Sequence, residues 1–299
     1  MGRDADYLAF VRRATAAVRE DGPPPSAANV PKTTVASVTD YEVPVAARPG
    51  GSPMRARLYR PASRLAHVAL VYVHGGGWAR GDVESWDPVV RNLVAASGVS
   101  MLSIEQRQAP AHPFPAALDD TVAAVRWLRL CAADLALEAS EVGVAGDSSG
   151  GNVAAAAALR MRDEGEQPLS LQLLVYPVVD LVHAPADLPD PDGIDWHRGD
   201  PLTISGAYVG AADRAHRYLS PALCNDLRGL PPTVVVTAEY DRLRPEAERY
   251  AALLADAGVP VELVPGPGLD HAFVAWVAFA RRPREVVEDV GRAVRRLLS

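Results

Sequence analysis

Residues 141–162 read EVGVAGDSSGGNVAAAAALRMR. An apolar run meets an alanine-rich helical stretch through Gly146-Asp147-Ser148-Ser149-Gly150, which is G-x-S-x-G. That spacing has a mechanical reason. The central residue sits at the tip of a sharp strand-to-helix turn, and strand and helix pass so close that the positions two before and two after must be small. The serine oxygen is thereby exposed, and the helix N-terminus behind it favours negative charge. In a chain with 23 glycines the pattern alone is weak. A Gly-rich turn with a solvent-facing serine is the plain alternative, so the surroundings decide.

They repeat the same grammar. Val68–Val73, Gly98–Ile104, Val142–Gly146, Leu171–Tyr176, Thr233–Ala238 and Pro260–Val264 are short, mostly apolar runs. Such runs suit strands buried on both faces of a parallel sheet. Helical stretches at about 85–97, 115–131, 151–164, 245–257 and 284–298 separate or follow them, and Gly98 and Gly258 fall where helix C-caps belong. This alternation predicts a doubly wound α/β domain. Thr34–Val45 and Met54–Tyr59 alternate and read as two further strands ahead of it.

Two segments fall outside the alternation. Residues 4–20 read as an amphipathic helix with Tyr7, Leu8, Val11, Ala14 and Val18 on one face, followed by the proline-rich break Asp21–Lys32. More than fifty residues separate Tyr176 from Thr233, far more than a crossover needs. The first segment reads as a unit appended to the domain, and an insertion after Tyr176 would be a surface excursion or a lid.

The loop after Val73 reads His74-Gly75-Gly76-Gly77. Three residues without side chains let backbone N–H groups face a cavity and let a substrate carbonyl approach closely. A tetrahedral oxyanion needs such donors, and one is typically worth about 3–4 kcal/mol in the transition state. The amide of Ser149, directly after the candidate nucleophile, adds another. A phosphate-binding loop is disfavoured, since neither G-x-G-x-x-G nor Walker A spacing is present.

A serine needs a base. Of seven histidines, His67 precedes a strand, His112 sits in a Pro-rich loop, His183, His197 and His216 fall in the insertion, and His74 belongs to the glycine motif. His271 follows the last predicted strand, and Asp241 follows the strand Thr233–Ala238. In a parallel sheet the loops after strand C-termini gather at one edge, where the active crevice forms. Ser148, Asp241 and His271 also stand in the chain order Ser…Asp…His. Glu239 and Asp270 are the rival acids; Asp270 adjoins His271 and would strain to reach its Nδ1.

The stretches "HGGGW", "APAHPFPAALDD", "GDSSGGN", "LLVYP", "LPPTVVVTAEYDRLRPEAERYAALLADAGVPVE" and "GLDHAF" together resemble the hormone-sensitive lipase family of α/β-hydrolases, in its bacterial esterase branch. The resemblance covers nearly the whole chain from about Thr33. It implies an α/β-hydrolase fold, with a mostly parallel central sheet flanked by helices and a helical cap. Residues 1–45 would be an N-terminal cap segment, its helix folded back by the proline-rich connector onto an insertion at about 180–218, and 46–299 the hydrolase domain with that cap insertion. It implies a Ser148–Asp241–His271 triad and oxyanion donors among Gly75, Gly76 and Gly77 plus Ser149. The sequence departs from the family pattern at Gln106, Gln108, Ala111 and Ser149, where tyrosine, leucine, glutamate and alanine are usual. These departures bear on substrate choice.

The formal charge of −7 and the absence of a Lys/Arg block exclude an electrostatic nucleic-acid or anionic-membrane role. No run reaches the roughly 18 apolar residues of a membrane span, and the charged N-terminus lacks a signal-peptide core. Cys131 and Cys224 lack metal-ligand or CxxC spacing and read as free thiols. The expectation is a cytoplasmic carboxylesterase without metal or cofactor, acting on a small-molecule ester of short acyl chain, with a homodimer left open. The competing readings are an amidase, acyltransferase or elimination enzyme using the same site on a natural product, and a non-catalytic small-molecule receptor. The receptors that resemble this family lack the catalytic histidine, and His271 is present.

Overall fold

The computed structural model describes residues 3–19, 30–63, 68–137, 141–183, 185 and 204–299, with side chains of 14–19 excepted. Its centre is one eight-stranded sheet. The strands are β1 (Ser37–Val43), β2 (Met54–Arg60), β3 (Val68–Val73), β4 (Ser100–Ile104), β5 (Glu141–Asp147), β6 (Gln172–Val175), β7 (Thr233–Ala238) and β8 (Val261–Gly266). Their order is β1-β2-β4-β3-β5-β6-β7-β8. β1 pairs antiparallel with β2 and β2 with β4; every later pairing is parallel.

Alternation along each strand divides the core in two. On β3, Ala69, Val71 and Val73 face one helical layer, while Val68, Leu70 and Tyr72 face the other. The first layer holds α3 (Ala116–Cys131), α4 (Ser149–Asp163) and α6 (Arg244–Asp256). The second holds α1 (Ala5–Arg19), α2 (Asp87–Ser97) and α7 (Arg281–Leu298). α5 (Gly206–Val209) is a single turn. Ala154 to Ala158 are all buried, so the alanine run lets α4 lie close to the sheet. Each Val or Leu buried in these layers contributes about 1.5–3 kcal/mol of transfer free energy. Gly98 caps α2 with φ 74°, its N–H donating to Val94 O at 3.0 Å.

Two expectations need correction. β8 is not buried on both faces: it ends the sheet, and Leu263 is 44% exposed. The boundary at residue 45 also moves, because residues 37–43 form β1 of the central sheet rather than part of a cap. Within α1 the buried face is Tyr7, Phe10 and Val11, with Leu8 only partly covered. Phe10 stacks on Phe279 (5.0 Å, 10°) and tilts against Trp276. The helix thus packs on the segment that follows His271, where the insertion was expected as its partner. The connector through residue 29, residues 184 and 186–203 of the insertion, His67 and His197 lie outside the described residues.

Candidate active site

β5 delivers Ser148 at φ 55°, ψ −121°, a backbone state a non-glycine residue rarely holds. The surroundings hold it there. Its N–H donates to Val175 O at 2.9 Å, and its carbonyl accepts from Val178 and Asn152, each at 3.2 Å. The flanking glycines are sterically required: a Cβ on Gly146 would lie 2.4 Å from Gly150 O, and one on Gly150 would lie 2.1 Å from Val73 O. Ser148, partly exposed, therefore stands between the end of β5 and the first turn of α4.

The turn after β8 brings His271 onto it. His271 Nε2 lies 2.8 Å from Ser148 Oγ, and Nδ1 lies 2.6 Å from Asp241 Oδ2. Asp241 is buried, and its Oδ1 accepts the Leu243 N–H at 2.9 Å. That leaves Oδ2 for the imidazole and fixes the proton on Nδ1, so Nε2 faces the serine as an acceptor. Burial pushes the imidazole pKa down. The Asp241 charge and hydrogen bond outweigh it, helped by Asp147 and Asp270, so the net shift is upward. The rival acids are engaged elsewhere: Glu239 accepts the Gly268 N–H at 2.6 Å, and Asp270 holds Arg3.

The glycine loop follows β3 and lies beside the serine. Gly76 (φ 105°) and Gly77 (φ 65°) adopt left-handed backbone that favours glycine. Their N–H groups meet no acceptor among the described residues. The Ser149 N–H belongs to the first turn of α4, where a helix leaves donors unsatisfied. Gly75 does not join this donor set. Its N–H donates to Asp147 Oδ1 at 2.9 Å, so it braces the loop, and a Cβ there would lie 2.5 Å from Asp147 Oδ2.

Sequence reasoning missed Asp147. It is the residue between Gly146 and Ser148, and its acidity was the available signal. Its Oδ1 collects the Tyr72 hydroxyl (2.6 Å), the Gly75 amide and the Trp86 indole N–H (2.9 Å). Burial raises its pKa against these three donors. Three of the four departures also bind the glycine loop. Gln106 Nε2 donates to His74 O at 3.0 Å, Gln108 Nε2 donates to Gly81 O at 2.6 Å, and Ser149 Oγ accepts the Trp78 N–H at 3.2 Å. Ala111 is exposed, and nothing in the structure explains its choice. His74 is buried, with Nδ1 2.8 Å from Gly75 O and its ring against Trp86, so it anchors the loop. Beyond Trp78, the ring of Tyr208 on α5 stacks at 5.0 Å and 9°, joining the insertion to the loop.

No group of three His, Cys, Asp or Glu residues that could hold a metal occurs among the described residues. No described helix is long and apolar enough to cross a membrane.

A mostly parallel sheet that presents a serine on a strained turn after its fifth strand, met by an imidazole from the turn after its last, defines an α/β-hydrolase. A family model described as alpha/beta hydrolase fold matches residues 70–275. The chain belongs to that family, in its group of bacterial esterases similar to hormone-sensitive lipase. Carboxylesterase NlhH of Mycobacterium tuberculosis is 39% identical over 226 residues, 72% of this chain and 69% of its own. The crystallised esterase of Pyrobaculum calidifontis is 34% identical with a TM-score of 0.79, covering 97% of this chain and 91% of its own. LAE6, an α/β-hydrolase from the metagenome of Lake Arreo in Spain, is 28% identical with a TM-score of 0.83, covering 99% of each chain.

Proposed function

We propose that the chain is a carboxylesterase in which Ser148 is the nucleophile, His271 the general base and then acid, and Asp241 the residue that orients His271 and stabilises its cation. The observation that carries this reading is the 2.8 Å contact between His271 Nε2 and Ser148 Oγ, with Asp241 at 2.6 Å behind the ring. His271 takes the serine proton as Oγ attacks the ester carbonyl carbon. The carbonyl oxygen becomes an oxyanion, held by the N–H groups of Gly76, Gly77 and Ser149. Collapse expels the alcohol, which takes its proton from His271, and leaves an acyl-serine. Water then attacks the acyl carbon with His271 again as base. The acid departs and the serine proton is restored.

The serine, glycine loop and histidine would equally serve amide cleavage or acyl transfer. The relatives favour ester hydrolysis, since those compared by sequence or structure are named esterases or α/β-hydrolases. A non-catalytic receptor would have no use for an imidazole hydrogen-bonded to the serine. The reading includes a cytoplasmic protein that meets a small ester in solution, and it allows a homodimer. α1 and the insertion that carries α5 would form the cap.

Short acyl chains are the expected substrates. Ile204 crowds the loop so closely that a Cβ on Gly77 would lie 2.8 Å from its Cγ2, and the Trp78–Tyr208 stack stands next to it. Across p-nitrophenyl esters, kcat/KM should be highest for acetate or butyrate and fall about tenfold or more by laurate. Rates that climb towards palmitate would sink this reading.

The pH profile provides a second check. Neutral His271 is the base, so activity appears as the imidazole loses its proton. Asp241 raises that pKa above the ordinary 6.5, and the acid limb of kcat/KM should therefore lie above pH 6.5. A limb at or below that value would show that the Asp241 charge does not act on the base.

A further inference from the structure

Asp241 and His271 sit in separate turns, one after β7 and one after β8. A 2.6 Å contact between them requires both turns to hold their relative position. The residues just before each are Tyr240 and Asp270, and both meet the same side chain. Arg3 Nε lies 3.0 Å from Asp270 Oδ2 and 3.2 Å from Oδ1, and its Nη2 lies 2.7 Å from Oδ1. The guanidinium carbon stands 4.4 Å from the centre of the Tyr240 ring. Both ends of the ion pair are buried, at 1% and 4% side-chain exposure.

The chain around Arg3 is fitted to this place. A Cβ on Gly268 would lie 3.0 Å from the Asp4 nitrogen, so the N-terminal chain runs flush against the turn that carries His271. Tyr7 is buried beside Asp270; burial first, and then the Asp270 charge, raise its phenol pKa. The two turns also meet directly, through the Tyr240 N–H on Leu269 O at 3.0 Å.

We propose that Arg3 is a positioning residue: one guanidinium that joins the turn bearing Asp241 to the turn bearing His271 and sets the imidazole against Ser148. This rests on the catalytic roles given above to Ser148, Asp241 and His271. A two-pronged contact from a planar fork fixes direction as well as distance, and the guanidinium carbon also stands over an aromatic ring. A buried ion pair is weak evidence for net stability, so its value here lies in geometry. It acts on charge too. The charges of Asp241, Asp147 and Asp270 act on His271, and Ser148 and Tyr176 lie against its ring. Asp270 itself faces Arg3 and Tyr7, with Asp4 and Arg281 near each other (3.9 Å) at the rim. Arg3 offsets the Asp270 charge. Without it, that carboxylate would act on the imidazole in full.

Full-length Arg3→Met, Arg3→Lys and Arg3→Met/Asp270→Asn test this, with Arg12→Met on the exposed side of α1 as control. In Arg3→Met, kcat should fall about tenfold to a hundredfold with little change in KM. Its acid limb should move to higher pH, because Asp270 is no longer offset. Arg3→Lys, which keeps the charge but loses the fork, should recover part of the rate. The double variant should return the acid limb to its original pH without restoring kcat. Folded Arg3→Met with wild-type kcat and an unmoved limb overturns the proposal. If circular dichroism shows that variant unfolded, wild-type kcat and acid limb in Arg3→Lys overturn it instead. Hydrolysis surviving in Ser148→Ala would strike the catalytic assignment itself. An inactive Ser148→Ala beside a fully active Arg3→Met would strike only the role of Arg3.

Discussion

Ser148→Ala is expected to lose ester hydrolysis by about 10⁶-fold while the protein stays folded. The substitution removes the one atom that can become the acyl oxygen, and neither neighbour can replace it. Ser149 Oγ already accepts the Trp78 N–H, and Ser149 opens α4 instead of sitting at the tip of the turn. The fold has little to lose. Alanine keeps the Cβ, so the strain at φ 55° is unchanged. The backbone bonds to Val175 O and from Val178 N–H do not involve the side chain. What remains is the glycine loop and the binding crevice, which can still polarise a carbonyl and leave a small residual rate. Two measurements check this. p-Nitrophenyl acetate hydrolysis should drop to near background with an unchanged circular dichroism spectrum. A phosphonate reagent should add mass to Ser148 of the wild type and nothing to the variant. Near-wild-type turnover by Ser148→Ala would remove the nucleophile from this site.

The elements legible from sequence were those whose reason is local. Val68–Val73 and Thr233–Ala238 keep their expected bounds because continuous apolar runs, rich in β-branched residues, leave no choice but burial on both faces. That Ser148, Asp241 and His271 come together was legible because each follows a strand, and parallel strands deliver their following turns to one edge. β8 was misread for the complementary reason. Its composition resembles an inner strand, and only the order of strands makes it the end of the sheet. Side-chain partners distant in sequence left no trace. Arg3 and Asp270 are 267 positions apart, and nothing in either segment names the other. In sequence Gly75 is equivalent to Gly76 and Gly77; only the bond from its amide to Asp147 sets it apart. Gln106, Gln108 and Ser149 stood out as departures, but their shared hold on the glycine loop is a property of three dimensions. The face of α1 was likewise readable in part, since an amphipathic pattern demands burial without naming what covers it. Trp276 and Phe279 are that cover.

The same loop-edge geometry makes Asp241→Asn the most discriminating substitution at the acid position. In the native site Oδ1 accepts the Leu243 N–H at 2.9 Å and Oδ2 accepts Nδ1–H of His271 at 2.6 Å, so both positions need an acceptor. Asparagine has one acceptor and one NH₂. If the carbonyl oxygen stays on Leu243, the NH₂ faces His271, and the ring can meet it only by moving its proton from Nδ1 to Nε2. Nε2 then points a hydrogen at Ser148 and cannot take the serine proton. If the amide flips, its NH₂ meets the Leu243 N–H, and two buried donors face each other without an acceptor, which costs about 1–3 kcal/mol. The first arrangement should prevail, and kcat should fall by about 10³–10⁴ with the fold intact. The lost charge has its own signature. Without the Asp241 carboxylate, burial dominates the imidazole and its pKa falls, so the acid limb of the residual activity should move to lower pH. Glu239→Gln and Asp270→Asn should cost far less, because those carboxylates hold the Gly268 N–H and Arg3 and do not touch the ring. A loss at either position as large as that of Asp241→Asn would move the acid there.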